Sequence, residues 1–295
     1  MPSQEHQTLC EAVLSMPFFA ETVAETRANF AMLEYLFPVG DEIRCSAVTA
    51  GSAPAEWVAA PGVSERRTVL YLHGGGYVLG SVATHRQLAA RISAAGDASV
   101  LLLEYRLAPE HPFPAAVDDA VDAYRWLLDQ GRSPAEVVIA GDSAGGGLAV
   151  ATLVAVRDAG LPLPAAAVCL SPWADLELVG PSMEANAATD RLLGFAVLAD
   201  MRDAYLGGRD PREPLASPIH ADLAGLPPLY LQVSASECLH DDAARLAEIV
   251  TAAGGDVTVD RWDGLLHVFQ LFATLPETTD AMTRIGDFIR ARARV

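Results

Sequence analysis

The 295-residue sequence predicts an α/β fold with a mostly parallel sheet covered by helices on both faces. Three observations predict it. Short apolar runs alternate with longer helical stretches from residue 68 onward. The runs are continuously apolar rather than alternating, as strands buried on both faces are. Glycine-rich turns follow two of them directly, in HGGG after residue 72 and GDSAGGG after residue 140. With 51% hydrophobic and 20% charged residues, the composition is that of a globular chain able to bury a large core.

The elements follow in order. The first forty residues read as helical and amphipathic, with Met16, Phe18, Phe19, Phe30, Leu33, Tyr35 and Phe37 as the large apolar side chains. Strands are expected from Glu42 (EIRCSAV) and Ala55 (AEWVAA), then at 68–72, 99–105, 137–140, 165–171, from Leu229 (LYLQVS) and from Val257 (VTVDRW), eight in all. Helices are expected at 84–95, 115–129, 144–159, 241–253 and 276–292. Residues 181–214 interrupt the alternation with a helical insertion rich in Leu and Met. The expected division is therefore a helical N-terminal part of a cap (1–40), core (41–180), cap insertion (181–215) and core again (216–295).

The charge balance, 20 basic against 38 acidic residues, gives −18 and argues against nucleic acid and anionic membranes, both of which would repel the chain. It favours a neutral small-molecule substrate over an anionic one. No apolar run reaches the roughly 18 residues of a membrane span. The start lacks a basic segment followed by an apolar one, so no secretory signal is expected and a cytoplasmic location is. Cys10, Cys45, Cys169 and Cys238 are scattered without metal-binding spacing and read as reduced structural thiols, so neither metal nor organic cofactor is expected.

Gly141-Asp142-Ser143-Ala144-Gly145 is a GxSxG pentapeptide with an apolar strand leading in and a helix leading out. That context is what a nucleophile elbow requires: a tight turn projecting the Ser143 hydroxyl from the carboxyl edge of the sheet, near the positive end of a helix. His73-Gly74-Gly75-Gly76 offers bare backbone N–H groups to a developing negative oxygen. A phosphate-cradling loop is the competing reading, but neither GK[ST] nor GxGxxG spacing follows it. Where the nucleophile sits on such an elbow, the chain order is serine, acid, histidine. Of the histidines after Ser143, His220 precedes the strand at Leu229 and His240 opens a helix close to the candidate acids, whereas His267 follows the last strand on a loop.

Together, HGGGY, EYRLAPEHPFPAA, GDSAGGGLA, SPWADLE and SECLHDDA resemble the hormone-sensitive-lipase family of α/β-hydrolases, the bacterial family IV esterases. The resemblance runs from about residue 68 to the C-terminus, while the first forty residues match only in helical character. It implies an α/β-hydrolase fold, Ser143 as nucleophile, His267 as general base, and an oxyanion hole from the N–H groups of Gly75, Gly76 and Ala144. It implies a structural role for His73 and a place for Tyr77 at the pocket border, with Phe18 and Phe195 of the cap as further pocket candidates. A homodimer through an edge strand is an arrangement the family uses.

The acid is less plain, because VSASECLHDDA carries Glu237, Asp241 and Asp242. Set against the family's DPLRD-like motif, Glu237 takes the place of the catalytic aspartate and Asp241 that of the second one. The strand ends near Val233, so Glu237 stands on the loop at its carboxyl end, while Asp241 and Asp242 begin the next helix, where the dipole alone favours acids. Asp263 reads as a turn residue beside Gly264. Glu237 is the expected acid, with Asp241 the fallback. The expected activity is hydrolysis of short- to medium-chain acyl esters through a Ser-His-Glu triad. A lactonase, an amidase, a deacetylase of a small metabolite, or a non-catalytic binding protein on the same scaffold are the alternatives.

Overall fold

The computed structural model describes residues 2–14 and 18–295; Met16 lies outside them. The strands are β1 (Arg44–Ala50), β2 (Ala53–Ala59), β3 (Thr68–Leu72), β4 (Ser99–Leu103), β5 (Val137–Asp142), β6 (Ala166–Leu170), β7 (Leu229–Ser234) and β8 (Val257–Trp262). They form one eight-stranded sheet in the order β1-β2-β4-β3-β5-β6-β7-β8. The β1–β2 and β2–β4 pairs are antiparallel, and every pair from β4 through β8 is parallel.

The apolar runs behave as the sequence predicts. All residues of β3 to β7 are buried, and their side chains part by strand alternation. Leu70, Leu72, Leu101, Leu103 and Ile139 pack on one face, with Tyr124 of α5 (Ala115–Asp129), Leu148 of α6 (Ala144–Asp158) and Leu246 of α9 (His240–Ala252). Val69, Tyr71, Val100, Leu102 and Val138 pack on the other, with Leu88 and Ile92 of α4 (Val82–Gly96) and Ile285 and Ile289 of α10 (Pro276–Arg292). The edge strand β8 differs: no residue in it is fully buried. Boundaries shift slightly where caps or side-chain anchors intervene. Helix α4 begins two residues before the expected Thr84 because Ser81 and Thr84 form a reciprocal capping box. β4 ends before Glu104, whose carboxylate instead accepts the Val82 N–H at 2.6 Å.

The N-terminal residues form α1 (Gln4–Leu14), α2 (Val23–Phe30) and α3 (Leu33–Leu36), and the insertion between β6 and β7 forms α7 (Ser182–Ala185) and α8 (Phe195–Leu206). Arg27 of α2 anchors to the core by donating from Nε to the Val78 carbonyl and from Nη2 to the Ala108 carbonyl, each at 2.8 Å. His6 of α1 accepts the Leu266 N–H at Nε2, 3.0 Å away, so the N-terminal segment is tied to the loop after β8. Burial lowers the His6 pKa against the pull of Glu277, which suits that acceptor role. Not every apolar residue of this segment packs: Tyr35 is 74% exposed. Among the described residues, no helix is long and apolar enough to cross a membrane.

Candidate active site

Because β3, β5, β7 and β8 run in the same direction, the loops at their carboxyl ends gather at one edge of the sheet. Ser143 stands between β5 and α6 with φ +53° and ψ −122°, a conformation a non-glycine residue holds only when its surroundings enforce it. Enforcement comes from both sides: its N–H donates to the Leu170 carbonyl at 2.8 Å, and its carbonyl accepts the Trp173 N–H at 2.9 Å. A Cβ on Gly145 would lie 2.0 Å from the Leu72 carbonyl oxygen, so the elbow can nest against β3 only with glycine there.

Ser143 Oγ lies 2.9 Å from His267 Nε2, and His267 Nδ1 lies 2.5 Å from Glu237 Oε2. Both ring nitrogens are thereby used, Nδ1–H donating to the carboxylate and Nε2 facing the hydroxyl. The other oxygen of Glu237 accepts from Ser171 Oγ at 2.9 Å and from the Ser234 N–H at 2.8 Å. Glu237 is wholly buried. Burial alone would depress the basicity of His267. The Glu237 carboxylate, by attraction and by hydrogen bond, with smaller contributions from Asp190 and Asp142, outweighs it and raises the imidazole pKa above 6.5.

The other candidate carboxylates have other partners. Asp241 pairs with His240 Nδ1 at 3.0 Å and accepts the Ser182 N–H at 2.7 Å. Asp242 is buried beneath the loop after β6, accepting the N–H groups of Ala174 and Asp175 at 2.8 Å each, and burial pushes its pKa up to about 8. Asp263 is on the surface beside Arg261.

Facing Ser143 is the loop after β3. Gly75 has φ +119° and Gly76 φ +62°. Among the described residues, the N–H groups of Gly75, Gly76 and Ala144 donate to no protein acceptor, which leaves three free donors on the glycine loop and the residue after Ser143. The loop is held from below: Asp142 accepts the Gly74 N–H at 3.0 Å and the Tyr71 hydroxyl at 2.8 Å. Burial works against the Asp142 charge, but His85 beside it and the Tyr71 hydrogen bond prevail and lower its pKa. His73 is fully buried and stacks on Tyr105, with ring centroids 4.3 Å apart. Burial, reinforced by neighbouring His85, lowers its pKa to about 3, so it remains a neutral structural ring.

A cavity of about 90 Å³ opens over Ser143 and His267. Its walls come from the N-terminal segment (Phe18, Phe19, Phe30, Leu33), from the insertion (Leu192, Leu193, Leu198, Met201) and from the stretch after His267 (Val268, Leu271, Phe272). Two expected pocket residues are absent from it. Tyr77 lies behind the glycine loop, 1% exposed and stacked on Tyr205 at 3.7 Å, because its own φ of +63° turns it toward the core. Phe195 is 56% exposed at the first turn of α8, one turn before that helix reaches the cavity at Leu198. Phe18 does line the cavity.

Two supporting residues carried no signal strong enough to assign from sequence. Ser171, within the SPWADLE motif, accepts the Val268 N–H at 3.3 Å while donating to Glu237, and so couples Glu237 to the loop that carries His267. Asp190 of the insertion accepts the Cys238 N–H at 2.8 Å, fixing the residue next to Glu237. A third group, Asp175, Glu177 and His220, has metal-like proximity, but Arg245 binds Asp175 and Arg212 faces Glu177.

Fold and site together define an α/β-hydrolase. The family described as "alpha/beta hydrolase fold" matches residues 69–271. An acetyl-hydrolase of Streptomyces hygroscopicus is 51% identical over 269 residues, covering 91% of this chain and 88% of the relative. An esterase of Acinetobacter venetianus is 33% identical, covering 86% and 84%. The crystal structure of an esterase from the bacterial hormone-sensitive lipase family superposes with a TM-score of 0.97 at 45% identity over the whole of both chains. The chain belongs to the hormone-sensitive-lipase family of α/β-hydrolases and is an enzyme of that hydrolase class.

Proposed function

We propose that the protein is a serine carboxylesterase for esters of short- to medium-chain acids, working through Ser143, His267 and Glu237. The observation that carries the reading is the continuous contact from Ser143 Oγ to His267 at 2.9 Å and from His267 to the buried Glu237 at 2.5 Å, beneath an apolar cavity. Ser143 attacks the ester carbonyl while its proton passes to His267 Nε2. Glu237 holds the Nδ1–H tautomer and balances the imidazolium. The N–H groups of Gly75, Gly76 and Ala144 bind the tetrahedral oxyanion. The imidazolium then protonates the departing alkoxide, leaving an acyl group on Ser143. Water, deprotonated by His267, attacks that acyl group and releases the carboxylic acid as Ser143 recovers its proton.

Residues 1–40 and 181–215 act together as the cap in this reading, since both supply cavity wall. Support for a small acyl group comes from the cavity's size and from the names of similar proteins: the Streptomyces relative is called an acetyl-hydrolase. A structure 44% identical with TM-score 0.94, EstE5, covering 98% of this chain and 99% of its own, was soaked with p-nitrophenyl butyrate. The test is turnover of p-nitrophenyl acetate and butyrate by wild type and Ser143→Ala. The wild type turns over both and the variant, folded, loses about 10⁶ in kcat. Undiminished activity in the variant would remove Ser143 from its role, and faster wild-type turnover of long-chain triglycerides than of short esters would reverse the chain-length assignment.

A further inference from the structure

A second cleft adjoins the catalytic cavity. It is an open groove between α2 and α8 over Val78 and Leu79. The two spaces share three wall residues: Phe19, Leu79 and Met201. These three are not equivalent. Leu79 belongs to the turn of the glycine loop, its N–H donating to the Gly75 carbonyl at 2.8 Å, so it cannot withdraw without disturbing that loop. Phe19 is 40% exposed and stands at the rim. Met201 is only 9% exposed, and its Sδ sits 2.1 Å from where a Cβ on Gly76 would be, so the thioether rests directly on the loop's glycine.

We propose that Met201 is a specificity-determining residue: its thioether divides the catalytic cavity from the α2–α8 cleft and so limits the length of the acyl chain. The inference rests on the ester reading above. Methionine suits such a partition, because an unbranched, flexible side chain fills an irregular gap that a stiffer one would not. Shortening it joins the two spaces, and the added acyl methylenes leave water for the cleft. Each methylene so buried strengthens binding about fourfold, which sets a ceiling of roughly 200-fold on the preference gained between butyryl and octanoyl chains. Glu21 and Asp200 on the cleft wall keep the gain below that ceiling.

The experiment compares wild type, Met201→Ala and Met201→Val. It reads kcat/KM for p-nitrophenyl butyrate and octanoate, and the Kd of butanamide and octanamide by calorimetry in a Ser143→Ala background. The octanoate-to-butyrate ratio is expected to rise at least tenfold in Met201→Ala and by a smaller factor in Met201→Val, with the amide affinity ratio rising in parallel. Ratios within twofold of wild type in either folded variant would overturn the proposal, and Met201→Val decides if Met201→Ala does not fold. A rise in the amide ratio without ester turnover by any form would leave the partition standing and defeat the ester reading instead.

Discussion

Replacing Glu237 by Gln is the sharpest test of the proposed acid, because the structure dictates which way the amide must face. Glu237 Oε1 accepts two hydrogen bonds, from Ser171 Oγ at 2.9 Å and from the Ser234 N–H at 2.8 Å. The Ser234 N–H is a backbone donor and cannot reverse its role. The glutamine oxygen must therefore face Ser234, which turns its NH₂ group toward His267 Nδ1. An NH₂ donor there selects the imidazole tautomer protonated at Nε2, and that tautomer cannot accept the Ser143 proton. The carboxylate that raises the imidazole pKa is lost as well. In a serine triad an acid-to-amide change of this kind costs about 10⁴ in kcat, or about 5 kcal/mol of transition-state stabilisation. The assay is kcat and KM for p-nitrophenyl butyrate, with circular dichroism to establish that the variant folds. KM should change little. A folded variant within tenfold of wild-type kcat would refute the reasoning and return the role to Asp241 or Asp263.

Further outcomes follow from the same geometry. The raised pKa of His267 puts the acid limb of kcat/KM at a midpoint above 6.5: the base must be neutral, so activity falls as pH drops through that midpoint, and a midpoint at or below 6.5 would contradict the Glu237 pairing. Gly75→Ala would place a Cβ 2.3 Å from the Leu79 carbonyl oxygen, at a φ that a side chain rarely adopts, and so displace the loop. Loss of an oxyanion donor predicts a fall of about 10² in kcat with smaller change in KM; wild-type kcat in that variant would take Gly75 out of the oxyanion hole.

The sheet was legible because its signal is collective: β3 to β7 are buried throughout and built around apolar runs, as strands covered on both faces are. The elbow and the glycine loop were legible because each sits where a strand ends, and parallel strands carry their ends to one edge. Glu237 could be chosen over Asp241 and Asp242 for the same reason, since only it lies on the loop rather than in the helix. The cavity walls were harder. An apolar residue in a short helix must pack somewhere, but its neighbours in sequence do not say against what. Tyr35 finds no cover, and Phe195 precedes the turn at which α8 meets the cavity. Tyr77 adjoins the glycine loop in sequence yet faces inward, because a positive φ redirects it. Ser171 reaches Glu237, and Asp190 the neighbouring Cys238 N–H, through hydrogen bonds between segments remote in sequence, which no local pattern encodes.

The most direct test of the central claim is to titrate the enzyme with phenylmethylsulfonyl fluoride, following residual p-nitrophenyl butyrate turnover against the mass and position of the covalent label. The account predicts one sulfonyl group per chain, carried on Ser143, with activity lost in proportion to labelling and no label on Ser143→Ala. A fully labelled Ser143 with turnover intact, or activity lost through a label on another residue, would contradict it.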